Sequence, residues 1–299
     1  MQTLYAMDAN KEGTSSADAL IILEKKIQAS KELFTYIIFF VTEIARYAEV
    51  DAKHKASKYL PTTKDLNINT RIAGNQLLWK IIEEPSFKES LKNFKLSHIA
   101  EPDLIKKFYS QLVETPEYLE YIEIEGRDKK TERKIIEFIF TNLLLPSELF
   151  ISHIEEHFNN WDDDAEMMQG LVINYFTKPE SLSFNEFISK EKLEFANTLL
   201  KTVIDKSEFT LELIKPRLKN WDAERIAALD LIILQMGVCE FLYFETIPTK
   251  VTINEYIDLA KEYSTEQSGQ FVNGLLDNIH KDLMAENKIE KQKYKNSTL

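Results

Sequence analysis

The sequence predicts an all-α fold, on three observations. It holds only 7 glycines and 8 prolines in 299 residues, so it is poor in the residues that make tight turns. Apolar residues recur at helical spacing through one window after another, the mark of helices buried along one face. No clear hairpin signal, two alternating apolar runs around a short turn, occurs anywhere. With a hydrophobic content of 44%, the chain can bury a real core.

The elements follow in order. Residues 1–7 read as the end of a helix stopped by Asp8, Asn10 and Gly13. Ser15 or Ser16 can cap a new helix from Ala17, and residues 19–49 carry a thick apolar face that includes Leu33, Phe34, Ile37, Ile38 and Val41. Residues 53–58 are polar and without period, and 61–69 read as a loop. A helix over 69–83 is stopped by Pro85, while Pro102 and Pro116 each suit the first turn of a helix, where a missing N–H costs nothing. Residues 126–128 are a turn, and 131–145, 147–158 and 162–176 are helices, the last with an acidic first turn that suits the helix dipole. After a break at 179–183 come helices over 192–205 and 209–218. Asp222 caps a third, Thr249 caps a fourth that ends at Tyr263, and Ser264 with Gln267 has the capping-box spacing for a fifth. The expected organisation is a helical N-terminal region over 1–188, a compact helical bundle over 189–286, and a disordered basic tail over 287–299.

Composition narrows the function. The net charge is −12 and the pI about 5.1, which argues against a general nucleic-acid binder but leaves room for a local basic patch. The single cysteine, Cys239, excludes a disulfide framework within the chain and fits a reducing cytoplasm. No run of about 18 uncharged apolar residues predicts a membrane span. His153 and His157 form an H-x-x-E-H pattern, which on a helix with a distant carboxylate is a zinc-peptidase signature. Two surface histidines beside Glu155 and Glu156 are the competing reading.

The most informative stretch is 251–277. Its last helix carries Gly274 in its interior, a residue that costs a helix about 1 kcal/mol relative to alanine. The expected reason is close helix packing at Gly274, with direct approach of a ligand as the other reading. Phe271 and Asn273 flank it. Phe271 fits either the core or a stack on an unpaired base. Asn273 fits either a bond to a neighbouring helix or the reading of a base edge.

Fragments in this half resemble the NusB family of bacterial transcription antitermination proteins. They are LEFANTLLKTV at 193–203, WDAERI at 221–226, LDLIILQMGVCE at 229–240, IPTKVTINEYIDLAK at 247–261 and FVNGLLD at 271–277. MQTLYA at the start is similar to the end of that family's first helix. The resemblance implies a NusB-like helical bundle in two helical subdomains, with neither catalysis nor a cofactor. It implies binding of boxA RNA beside the ribosomal protein NusE, in support of RNA polymerase elongation through ribosomal RNA operons. It carries Tyr5, Phe271 and Asn273 over as RNA contacts and Asp230 as a contact to NusE. The family's arginine-rich stretch, just upstream of the segment matched by Gln2–Tyr5, is absent from this sequence. The stretch either lies upstream of this sequence or is lost from this member. Because phosphate neutralisation supplies much of nucleic-acid affinity, a chain without it is expected to bind RNA more weakly. Two competitors stand beside this reading: a helical scaffold that keeps the NusE contact but has lost RNA, and a zinc peptidase at His153 and His157. The oligomeric state is left open.

Overall fold

The computed structural model describes residues 1–9, 15–218 and 227–292. Every regular element among them is helical. In chain order these are α1 (Gln2–Ala9), α2 (Ser16–Ala56), α3 (Thr63–Leu66), α4 (Gln76–Glu83), α5 (Pro85–Phe94), α6 (Pro102–Leu112), α7 (Pro116–Glu123), α8 (Lys129–Phe138) and α9 (Glu148–His157). Then come α10 (Trp161–Thr177), α11 (Lys190–Asp205), α12 (Ser207–Ile214), α13 (Ala228–Tyr243), α14 (Thr249–Tyr263) and α15 (Glu266–Ala285). None of these is long and apolar enough to cross a membrane alone.

The chain divides into two compact units. A central unit spans Lys26–Phe187, and a terminal unit joins Met1–Lys25 to the described residues from Ile188 onward. The expectation from sequence is a boundary at 188. Residues 1–25, however, group with the C-terminal helices rather than with the N-terminal region, because Leu4 and Ala19 lie in the same core as Val272 and Ile279.

The core of the central unit is rich in rings. Tyr36 and Phe158 lie 5.0 Å apart, Phe40 and Phe150 5.4 Å, and Phe87 and Phe184 5.0 Å. Helix α2 runs unbroken through the polar stretch at 53–56. No glycine or proline interrupts it, and a Lys55–Asp51 pair at 2.7 Å supports its last turns. Its start is capped as expected: the Ser15 hydroxyl accepts from Asp18 N at 3.2 Å and donates to the Asp18 carboxylate at 2.7 Å. Pro85 does not merely stop a helix. It opens α5 from its first position, where φ is already helical and the missing N–H is not needed. Helix α4 begins later than periodicity suggests, because Asn75, preceded by a 3-10 turn, accepts from the N–H groups of Leu77 and Leu78. A π-helical turn over Ile139–Leu144 follows α8, within the stretch read from sequence as one helix.

The terminal unit is built around α13, which is buried on every side from Ile232 to Phe241. The basic tail is in part held. Lys291 Nζ donates to the carbonyls of Glu240 at 2.9 Å and Phe244 at 2.7 Å, meeting bonding needs at the end of α13, and Gln292 N donates to Glu245 O. Residues 293–299 lie outside the described residues, as does 221–226 with its WDAERI motif and the expected cap at Asp222.

Candidate nucleic-acid interface

An all-round apolar helix must satisfy any polar group it carries. Helix α13 carries three, at five-residue steps: Asp230, Gln235 and Glu240. Gln235 Nε2 donates to Ser207 and Thr210 of α12. Glu240 accepts from the Thr252 hydroxyl at 2.6 Å and the Tyr256 hydroxyl at 2.9 Å, both on α14. Burial, with the Glu240 charge beside it, pushes the Tyr256 phenol well above its ordinary range, so it stays a donor. Asp230 accepts from the Ser268 hydroxyl of α15 at 3.0 Å. Its other oxygen is buried and makes no hydrogen bond among the described residues. These side chains pin α12, α14 and α15 to one central helix.

The start of α15 is set by Thr265, whose hydroxyl accepts from Ser268 N at 3.1 Å. The cap is therefore one residue later than the Ser264–Gln267 box, and Ser264 contributes through its hydroxyl contact with Ser268 at 2.9 Å. Likewise the N-cap of α14 is Pro248, with Thr249 as its first helical residue. From its cap α15 turns Val272, Leu275, Leu276, Ile279 and Leu283 into the core. Gln270, Asn273, Gly274 and Asn278 lie on the opposite, exposed face.

The glycines correct the packing argument. A methyl group added at Gly274 would meet nothing within 4 Å, so close helix contact is not what this glycine provides. That role belongs to Gly237 on α13, where an added Cβ would stand 2.9 Å from Leu276 Cδ2 and 3.3 Å from Tyr256 Cδ2. Gly237 was hidden in an apolar run whose partners sequence cannot name.

All four residues singled out from sequence fall in the terminal unit. Tyr5 on α1 is 49% exposed. Asn273 is exposed on α15. Phe271 is 8% exposed and sits in the core cluster. Asp230, 6% exposed, reaches the first turn of the helix that carries Phe271 and Asn273, through Ser268. Cys239 is fully buried, and its thiol is pushed up to about 12 by burial, so it is an inert core residue. Sequence reading missed Gln235, Glu240 and Gly237. Two polar residues inside a run as apolar as LIILQMGVCEF were the available signal.

The histidine pair is corrected. His153 is buried in the central unit, and its Nε2 shares a 2.5 Å hydrogen bond with the Tyr36 hydroxyl. His157 Nδ1 lies 2.9 Å from the His153 carbonyl. Among the described residues no group of three His, Cys, Asp or Glu side chains is placed to hold a metal ion. His153 ties α9 to α2, and His157 bonds back within α9.

The sequence profile of the NusB family matches residues 150–281, starting upstream of the boundary at 188. The transcription antitermination protein NusB of Finegoldia magna is 45% identical over 94 residues, which are 31% of this chain and 69% of that relative. The protein of the same name from Methylacidiphilum infernorum is 43% identical over 99 residues, 33% of this chain and 68% of its own length. That of Desulfatibacillum aliphaticivorans is 38% identical over 104 residues, 35% and 73% respectively. No solved structure matches. With more than two thirds of such relatives covered at this identity, the chain belongs to the NusB family.

Proposed function

We propose that this protein is a non-enzymatic transcription antitermination factor that binds boxA RNA together with the ribosomal protein NusE and supports RNA polymerase elongation through ribosomal RNA operons. Family membership supports the general role. The observation that carries the RNA reading is Gly274: an interior helix glycine on an exposed face, with no neighbour that requires it. A bare backbone beside the Asn273 amide lets a base edge or a phosphate approach the helix closely. Tyr5 offers an open ring for stacking. Phe271 offers only a small part of its surface and supports Asn273 from the core side. Asp230 is 6% exposed and holds Ser268 through one oxygen; its part in the NusE contact is to fix the start of α15 from within.

Titration of a boxA oligonucleotide with the protein, with and without NusE, tests this. Saturable binding that NusE strengthens is expected. Tyr5→Ala and Asn273→Ala should each weaken it by roughly tenfold, the order expected for one stacked base or one lost bidentate contact. Binding no better than that of a scrambled RNA would overturn the reading. Retained NusE binding with no RNA affinity would instead establish the scaffold, which the net charge of −12 favours.

A further inference from the structure

The central unit contains a cleft of about 520 Å³ lined by α4, the start of α8 and the end of α10. Four cations line it, Lys80 from α4 and Lys129, Lys130 and Arg133 from α8, against two carboxylates, Glu132 and Glu180. Glu132 is 1% exposed and already engaged. Its oxygens accept from Gln76 N at 2.7 Å, Arg127 Nη1 at 2.9 Å and the Tyr121 hydroxyl at 2.8 Å, so its charge is neutralised in place. Glu180 stands 3.8 Å from Lys80, with both side chains largely in solvent, and such a pair is easily displaced. Arg133 Nε is buried and makes no hydrogen bond among the described residues, and the guanidinium pairs with Glu137 Oε1 at 3.2 Å. Among the described residues no carboxylate lies within ion-pair distance of Lys129 or Lys130. Asp128, next in the chain, turns its carboxylate to the cap of α8, accepting from Lys130 N at 2.8 Å and the Thr131 hydroxyl at 2.7 Å. In a chain of net charge −12, this concave concentration of positive charge stands out.

From these features we propose that the cleft binds a phosphate-bearing small molecule of the mononucleotide class. Its volume lies in the range of small-ligand sites, about 300–1,000 Å³. Lysine ammonium groups act as point charges on phosphate, and the Arg133 guanidinium beside them adds to the positive field of the cleft. Leu77 and Phe176 supply an apolar wall for the body of the ligand. A free nucleotide and the terminal phosphate of an RNA share this chemistry, and a volume of about 520 Å³, that of a site for one small ligand, favours the free one. The inference does not depend on the function proposed above, whose residues all lie in the terminal unit.

Isothermal titration of the full chain with inorganic pyrophosphate and with AMP is the test. Saturable binding at one site per chain is expected. The double substitution K129Q/K130Q should weaken it at least about tenfold, the loss of charge-assisted contacts. E180K should tighten it severalfold. K106Q/K107Q, on exposed lysines of α6, should leave it unchanged. All four changed lysines are exposed, and a circular dichroism melt confirms that the variants fold. Absence of saturable binding up to the millimolar range, or equal loss in the α6 control, overturns the site. Equal competition by succinate overturns the phosphate assignment. An RNA oligonucleotide that binds through Lys129 and Lys130 and is not displaced by AMP overturns the free-nucleotide assignment.

Discussion

The two units solve the same packing problem with different chemistry. The central unit joins its helices through rings: Phe40 alone lies within ring-contact distance of Tyr36, Phe108, Phe150 and His153. The terminal unit surrounds α13 with aliphatic side chains and pins them with Asp230, Gln235 and Glu240. Rings contribute a large apolar area and tolerate some sliding. A buried carboxylate with two specific donors accepts only one register of the helices that supply them. The unit with the pinned register is the one that carries the FVNGLLD segment, where the proposed RNA contact needs its residues held in place.

The largest expected effect tests the ring-packed core. Phe40→Ala should destabilise the central unit by about 3–5 kcal/mol, the usual cost of deleting a buried phenylalanine, read from chemical denaturation. Glu240→Ala should cost the terminal unit about 2–4 kcal/mol, because the Thr252 and Tyr256 hydroxyls would be left buried without an acceptor. Hydrogen exchange should separate the two variants. The first should speed exchange in the helices of the central unit and the second in α13 and α14. Faster exchange spread equally over both units in either variant would remove the distinction drawn here.

A smaller effect concerns pH. His153 is held below its ordinary value of 6.5, first by burial and then by His157, against the opposing pull of Glu101 and Glu156. The folded state therefore prefers the neutral ring. Its contribution is complete above pH 6.5 and is lost as pH falls through the lower folded value. Denaturation midpoints for the wild type should drop between pH 6.5 and 5, and a His153→Phe variant should show a shallower drop. Identical slopes would mean that the Tyr36–His153 contact does not carry this dependence.

Several elements of both units are legible in the sequence. Helices over 19–49 and 162–176 were legible because a broad apolar face imposes a strict period, and FVNGLLD because its order of residues is specific. Pro85 was ambiguous, since proline both ends one helix and begins the next. The missed α5 follows from that. The extension of α2 through residue 56 left no trace in apolar periodicity, because a solvated helix end needs only the absence of breakers. The polar pins of α13 announced themselves as charges in an apolar run, but their partners lie 12 and 16 positions away for Glu240 and 38 for Asp230. The cations of the cleft are distributed over 80 and 129–133, and only folding brings them together.

Two of the helix glycines, Gly237 and Gly274, give the smallest and most diagnostic comparison. At Gly237 an alanine would gain about 1 kcal/mol of helix propensity but would press its methyl against Leu276, which is fully buried and has little room to yield. Overpacking costs about 1–3 kcal/mol, so Gly237→Ala should be net destabilising by about 1 kcal/mol. At Gly274 the same change meets open space, so only the propensity gain remains, and thermal unfolding should show stabilisation of up to about 1 kcal/mol. If the bare backbone at 274 serves an RNA contact, this more stable variant should bind boxA RNA less well than the wild type. A variant that is both more stable and equally good at binding would leave Gly274 without a function, and the RNA reading would then rest on Tyr5 and Asn273.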